Sequence, residues 1–241
     1  MAITIESIPL SCLAIDRLFS TIQQQSIRSL ALTAAEASEG VTTLTLALAK
    51  RLAAAKISTL LVDFDLSSAS LSHYFQREFI QSGDLEAALQ KNIIQTDIAH
   101  LSFLPAPRIG SKLITLRDKN FIANQIQKLQ QQYQIILFDT SAVNSEQDQV
   151  IPSETVCGAT DSCLMVVLTG KTSRMSIEFA VKKIHHAGGK LIGSVFNDQY
   201  NPPLRDELIE FCQKISSRFP KSAKRLENYF RQATWLKLEK N

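Results

Sequence analysis

The side chains able to do chemistry fall in four short stretches, and the first is residues 34–49, AAEASEGVTTLTLALA. A phosphate cradle of the form G-x-x-x-x-G-K-[ST] uses its last glycine for close backbone approach, its lysine for the β/γ-phosphates and its hydroxyl for Mg²⁺. Gly40 fills the glycine position and Thr42 the hydroxyl position, with Thr43 following. Ala35 stands where the opening glycine belongs, and Val41 stands where the lysine belongs. The other three stretches each carry a polar residue behind an apolar run: Asp63 and Asp65 in LLVDFD, Asp139 in QIILFD before Thr140 and Ser141, and Asn197 in IGSVFND. An aspartate at such a position can meet a metal ion or simply form a turn. Several converging on one edge is not something core packing requires.

These residues need a frame. Residues 29–33, 60–62, 101–104, 135–138, 164–168 and 191–196 are short, nearly continuous apolar runs, as expected of parallel strands covered on both faces. Helical patterns occupy 43–55, 85–90, 120–132 and 176–187 between them. The alternation predicts an α/β fold, a doubly wound and mainly parallel sheet with helices on both faces. Right-handed crossovers then bring the strand C-termini, and any ligand, to one edge. In that frame Gly40 opens a helix whose first amides and dipole favour an anion. Residues 10–24 read as an amphipathic packing helix outside the sheet.

Composition narrows the class. Of 241 residues, 45% are hydrophobic and 20% charged, which suits one domain with a small appendage. No apolar run approaches a membrane span, and the first residues lack the basic-then-apolar order of a secretory signal. Cys12, Cys157, Cys163 and Cys212 form no C-x-x-C pair, so they are expected to be reduced thiols of a cytoplasmic protein. The net charge of +3 is uneven: residues 214–241 hold eight Lys/Arg against Glu227 and Glu239, a local +6, leaving −3 elsewhere. A basic tail on a slightly acidic body argues against nucleic acid and leaves contact of 214–241 with an anionic membrane as an expectation.

With those residues in place, 29–201 resembles the ParA/MinD-type P-loop ATPases, and most closely their bacterial tyrosine kinase branch in exopolysaccharide synthesis and export. SLALTAAEASEGVTTLTLALAKRLA is similar to that branch's strand, Walker A loop and helix, LLVDFDLSSASLSHYF to its Walker A′ segment, and YQIILFDTSAV to its Walker B strand. The resemblance implies ATP or ADP with Mg²⁺ as cofactors. It implies phosphate contacts from Gly40, Val41, Thr42 and Thr43, metal contacts from Thr42, Asp63 and Asp139, catalytic positioning by Asp63 and Asp65, and adenine recognition by Asn197. It also implies a membrane protein of polysaccharide synthesis or export as partner, a homodimer, and a place in the cytoplasm or at the inner membrane's surface.

The departures set the functional expectation. Val41 replaces the lysine, Ala37 and Ser38 replace a Pro-Gly pair, and Ser67-Ser68 replace an arginine. The C-terminal tyrosine cluster is reduced to Tyr229, and the N-terminal E-x-x-R-x-x-R is missing. Phosphoryl transfer is positioning plus charge stabilisation. A lost cationic donor costs on the order of 3–4 kcal/mol in the transition state, and a valine sets apolar surface beside a polyanion. The expected function is therefore a non-catalytic or weakly nucleotide-binding regulator of exopolysaccharide synthesis. Two alternatives stand beside it. One is a residual ATPase or tyrosine kinase with Lys112, Lys171 or a lysine in trans as substitute. The other is a MinD-like localisation adaptor for an envelope machine such as pilus assembly. The expected division is 1–28 as a helical segment, 29–201 as the P-loop domain and 202–241 as a basic helical extension.

Overall fold

The structure is a computed structural model that describes residues 8–9, 12–81, 83–107, 110, 113–145, 147, 150–199, 208–209, 212 and 220–232. Lys112 and most of the 201–219 and 233–241 tail lie outside them.

Chain order is α1 (Leu13–Gln24), β1 (Ser29–Ala34), α2 (Val41–Ala54), β2 (Thr59–Phe64), α3 (Ser70–Tyr74), α4 (Leu85–Lys91), β3 (Ile94–Gln95), β4 (Leu101–Leu104), α5 (Leu113–Leu116), α6 (Lys119–Leu129), β5 (Ile135–Ala142), α7 (Ser153–Ala159), β6 (Ser162–Leu168), α8 (Arg174–His186), β7 (Leu191–Asn197) and α9 (Pro220–Gln232). The strands form one seven-stranded sheet in the order β3-β4-β2-β5-β1-β6-β7. β4, β2, β5, β1 and β6 pair in parallel, and the two-residue β3 runs antiparallel to β4.

Period-2 alternation splits the core in two. Ile136 and Phe138 of β5 face an apolar layer completed by Leu89 of α4, Ile122 and Ile126 of α6, Val156 of α7 and Ile184 of α8. Ile135 and Leu137 face the opposite layer, with Ile15 and Ile22 of α1, Leu44 and Leu48 of α2 and Leu71 of α3. By the same alternation Asp139 of β5 and Asp63 of β2 fall on the α2 side. Helix starts are fixed locally: Asp84 accepts from Glu86 N at 3.1 Å for α4, and Asp118 from Asn120 N at 2.8 Å for α6. α1 packs on α2, where Arg51 pairs with Asp16 at 2.7 Å and stacks over the Phe19 ring.

The expected doubly wound sheet is therefore present. The periodicity missed α3, α5 and β3, which have five residues or fewer, and the seven-residue α7. It also ended β5 early: the strand runs through Asp139 to Ala142. The chain forms two compact units, Met1–Val167 with Thr172–Asn197, and Leu168–Lys171 with Asp198–Asn241. In the second unit, α9 carries exposed Lys224, Arg225 and Arg231 together with exposed Leu226 and Tyr229.

Candidate functional site: a lysine-less phosphate loop over two buried aspartates

The loop between β1 and α2 is held by its own side chains. Gly40 caps α2 in the left-handed region at φ 95°, and no side chain caps the helix. The amides of Val41, Thr42 and Thr43 thus have no hydrogen-bond partner among the described residues, while Leu44 N already bonds Gly40 O at 3.1 Å. Ser38 is also left-handed, at φ 65°, so a serine takes the conformation that a glycine adopts more cheaply. Buried Glu39 accepts from Ala35 N at 3.1 Å through one oxygen and from the Thr172 hydroxyl through the other. Glu36 is held by Ser176, which Asn144 also contacts at 2.9 Å. Asn197 at the end of β7 donates from Nδ2 to Glu39 O at 3.0 Å.

Asn197 also lies directly against Gly40: a Cβ built on Gly40 would sit 2.6 Å from Asn197 Nδ2. Gly40→Ala therefore meets both a left-handed backbone, costing about 1–2 kcal/mol, and loss or displacement of the Asn197 bond at about 1 kcal/mol. A fall in melting temperature of roughly 5–10 °C is expected. Adding Asn197→Ala should recover part of the loss, a coupling that a double-mutant thermal series reads directly.

Beneath the loop, Asp63 and Asp139 are opposite one another in the β2–β5 register, and both are fully buried. Asp63 Oδ2 accepts from Ser72 N at 2.9 Å and Ser72 Oγ at 2.7 Å, and Ser72 Oγ in turn accepts from Ala106 N at 2.9 Å. Asp63 Oδ1 and both Asp139 oxygens are buried without a hydrogen-bond partner. Burial pushes the Asp63 carboxyl up to about 6, opposed by the two Ser72 donors. Asp139 is raised well above the ordinary carboxylate range, by burial first and by Asp63 second. Thr42 and Thr45 of α2 lie close enough to oppose that rise, yet neither completes a hydrogen bond to Asp139. Asp65, half-buried, has a full set of hydroxyl donors: Ser67 at 2.5 Å, Ser68 at 2.5 Å and Ser141 at 2.8 Å.

The fold thus brings Gly40, Thr42, Asp63, Asp139 and Asn197 to one place. Thr43 sits half-buried in the first turn of α2. Val41 differs from expectation. It is 8% exposed and belongs to the apolar layer of α1 and α2, so its side chain adds little apolar surface to the loop's open face. The sequence reading also missed Glu39, Ser72, Thr45 and Thr172. The serine run after Asp65 was the one visible signal for Ser72. Three partnerless carboxylate oxygens beside two threonines are an all-oxygen donor set of the kind a hard divalent cation takes. Free amides at a helix N-terminus suit phosphate.

A parallel sheet of this order, with a strand–loop–helix phosphate cradle above aspartates on two neighbouring strands, defines a P-loop NTPase fold of the ParA/MinD type, close to the bacterial tyrosine kinases. The chain belongs to the family described as cellulose biosynthesis protein BcsQ, whose model matches residues 27–178. It is similar to the tyrosine-protein kinase CpsD of Streptococcus agalactiae serotype III (strain NEM316), 25% identical over 173 residues, covering 70% of this chain and 73% of CpsD. Among solved structures it resembles the chimerical protein CapA2B2, with 24% identity and a TM-score of 0.66, covering 76% of this chain and 82% of that one. It also resembles the septum site-determining protein MinD complexed with Mg-ADP from Pyrococcus horikoshii OT3, with 21% identity and a TM-score of 0.56, covering 72% and 71%. Among the described residues, no helix is long and apolar enough to cross a membrane.

Proposed function

We propose that this chain is a non-catalytic or weakly nucleotide-binding regulator of bacterial exopolysaccharide synthesis or export, working on a membrane component of that machinery. The observation that carries the reading is Val41: the loop, the helix N-terminus and both aspartates are in place, while the one position that should bring a cation to the phosphates holds a valine buried in the core. When bound, ATP or ADP with Mg²⁺ would bring phosphates to the amides of Val41, Thr42 and Thr43, and the metal to Thr42, Asp63 and Asp139. Asp65 would position Ser141 and the serines of 67–68 around that metal rather than touch it. Asn197 would fix the loop through Glu39 O and border the base. Without the lysine, charge developing on the transferring phosphoryl group has no partner from the loop, so binding outlasts turnover.

Calorimetry with ATP, ADP and Mg²⁺ on the purified chain tests this. The expected result is weak Mg²⁺-dependent binding with hydrolysis at background. Tight binding with sustained turnover would transfer the chain to the ATPase or kinase alternative.

A second contact rests on α9, where exposed Lys224, Arg225 and Arg231 accompany exposed Leu226 and Tyr229. Each basic residue near an anionic bilayer contributes about 1 kcal/mol. The chain should sediment with vesicles containing phosphatidylserine and stay in the supernatant with neutral ones. Equal pelleting with both would remove the membrane contact.

A further inference from the structure

Residues 35–40, AEASEG, carry two acids and no base, and the fold treats the two acids differently. Glu36 is exposed, whereas Glu39 is only 2% exposed. No lysine or arginine pairs with Glu39 among the described residues. Its carboxylate is met by the Ala35 amide at 3.1 Å and by the Thr172 hydroxyl, and its carbonyl accepts from Asn197 Nδ2 at 3.0 Å. One residue thus closes the loop on itself and ties it to the segment before α8 and to the end of β7. Gly40 is the only glycine in this stretch, so the loop owes its shape to side-chain hydrogen bonds.

Packing alone does not require an acid at this position. Burying a carboxylate away from any cation is costly. A glutamine fills nearly the same volume, accepts from Ala35 N through its oxygen and can donate to Thr172 Oγ1. What the acid adds is negative charge. Glu39 directly precedes Gly40, the cap of α2, where the helix dipole and the amides of Val41, Thr42 and Thr43 are the groups left to attract phosphate. Val41 lies in the apolar layer and supplies no cation to offset it.

We infer that Glu39 is a positioning residue with two opposed effects: its hydrogen bonds hold the phosphate loop in binding shape, and its charge holds back the ligand, more strongly the more charged the nucleotide. The inference rests on the nucleotide reading of this site. The test compares the parent chain with Glu39→Gln and Glu39→Ala, by amide hydrogen exchange without ligand and by calorimetry with Mg²⁺-ADP and Mg²⁺-ATP. Parent against Glu39→Gln isolates the charge. The glutamine variant should keep Ala35 exchange slow and bind ATP about tenfold more tightly, the effect of one nearby charge under partial screening, with a smaller gain for ADP. Glu39→Gln against Glu39→Ala isolates the shape, since both lack the charge. The alanine variant should exchange the Ala35 amide at least about tenfold faster and bind both nucleotides about tenfold more weakly than the glutamine variant, the worth of two lost hydrogen bonds. A purely structural role would lower the melting temperature without giving Glu39→Gln tighter binding. Equal affinities for the parent and Glu39→Gln would overturn the inference, and that comparison stands even if Glu39→Ala does not fold. Unchanged Ala35 exchange in Glu39→Ala would overturn it as well. Absence of nucleotide binding in all three chains would remove the nucleotide reading itself, and this inference with it.

Discussion

Asp63→Asn is expected to raise the melting temperature in metal-free buffer near pH 8, and to change it little near pH 4. The folded state raises the Asp63 carboxyl from 3.8 to about 6, chiefly by burying it. A carboxyl raised in this way favours the folded state while protonated. Its penalty is absent below the unfolded value, grows through the interval from 3.8 to about 6, and is complete above it. Two pH units at about 1.4 kcal/mol each give a penalty on the order of 3 kcal/mol at neutral pH and above. Asparagine keeps an oxygen for the two Ser72 donors and removes the charge, so most of that penalty should be returned as stability. For a chain of this size that is roughly 5–10 °C. Asp139→Asn should act in the same direction, since burial first and the Asp63 charge second raise the Asp139 carboxyl. The two substitutions should be less than additive, because removing the Asp63 charge already relieves Asp139. A gain that is the same at both pH values would show that the effect comes from packing and not from ionisation. The same substitutions should weaken any Mg²⁺-dependent nucleotide binding, which makes stability and function move in opposite directions at this site.

That site was legible in the sequence where it depended on the alternation of strands and helices. Apolar runs ending near Asp63, Asp139 and Asn197 were enough to bring those residues to Gly40, because parallel strands joined by crossovers leave no other edge for them. Residues fixed by a short element or by a turn of the loop were not legible. Ser72 reaches Asp63 from α3, a helix of five residues with no repeat to read. Glu39 lies in the loop itself and turns inward to Ala35 and Thr172, which no spacing rule foretells. Val41 is the most instructive miss. α2 buries residues on most of its circumference, Val41, Leu44, Leu46, Ala47 and Leu48 among them. Amphipathicity therefore could not tell which way its first side chain would point. Homology suggested the phosphates, and packing against the α1 layer decided for the core.

Val41→Lys is expected to strengthen Mg²⁺-ATP binding by about 10- to 100-fold, the worth of a charged hydrogen bond at about 1.5–3 kcal/mol. The free amides of the α2 N-terminus, Thr42 and the two aspartates already supply the remaining contacts. The gain comes with a stability cost. Val41 leaves the apolar layer, and a lysine can cover the vacated surface only with its stem while its ammonium moves out to the loop. A net loss of about 1–2 kcal/mol follows, and the ligand-free variant should melt several degrees below the parent. Saturating ATP should reverse that order, because binding to the folded state alone adds stability in proportion to the logarithm of ligand over Kd. Turnover has a further requirement. Ser38 holds a left-handed backbone with a Cβ in place, so the loop has less freedom to close on phosphates than a glycine would give it. The pair Ser38→Gly with Val41→Lys is therefore the variant in which hydrolysis should first rise above background. Robust turnover by the unaltered chain, abolished by Asp63→Ala, would sink the non-catalytic reading outright. If the double variant binds ATP no better than the parent, the loop does not open to nucleotide at all. The buried aspartates would then be a proton-dependent structural pair, and the partner-binding role would rest on the outer surface of the fold.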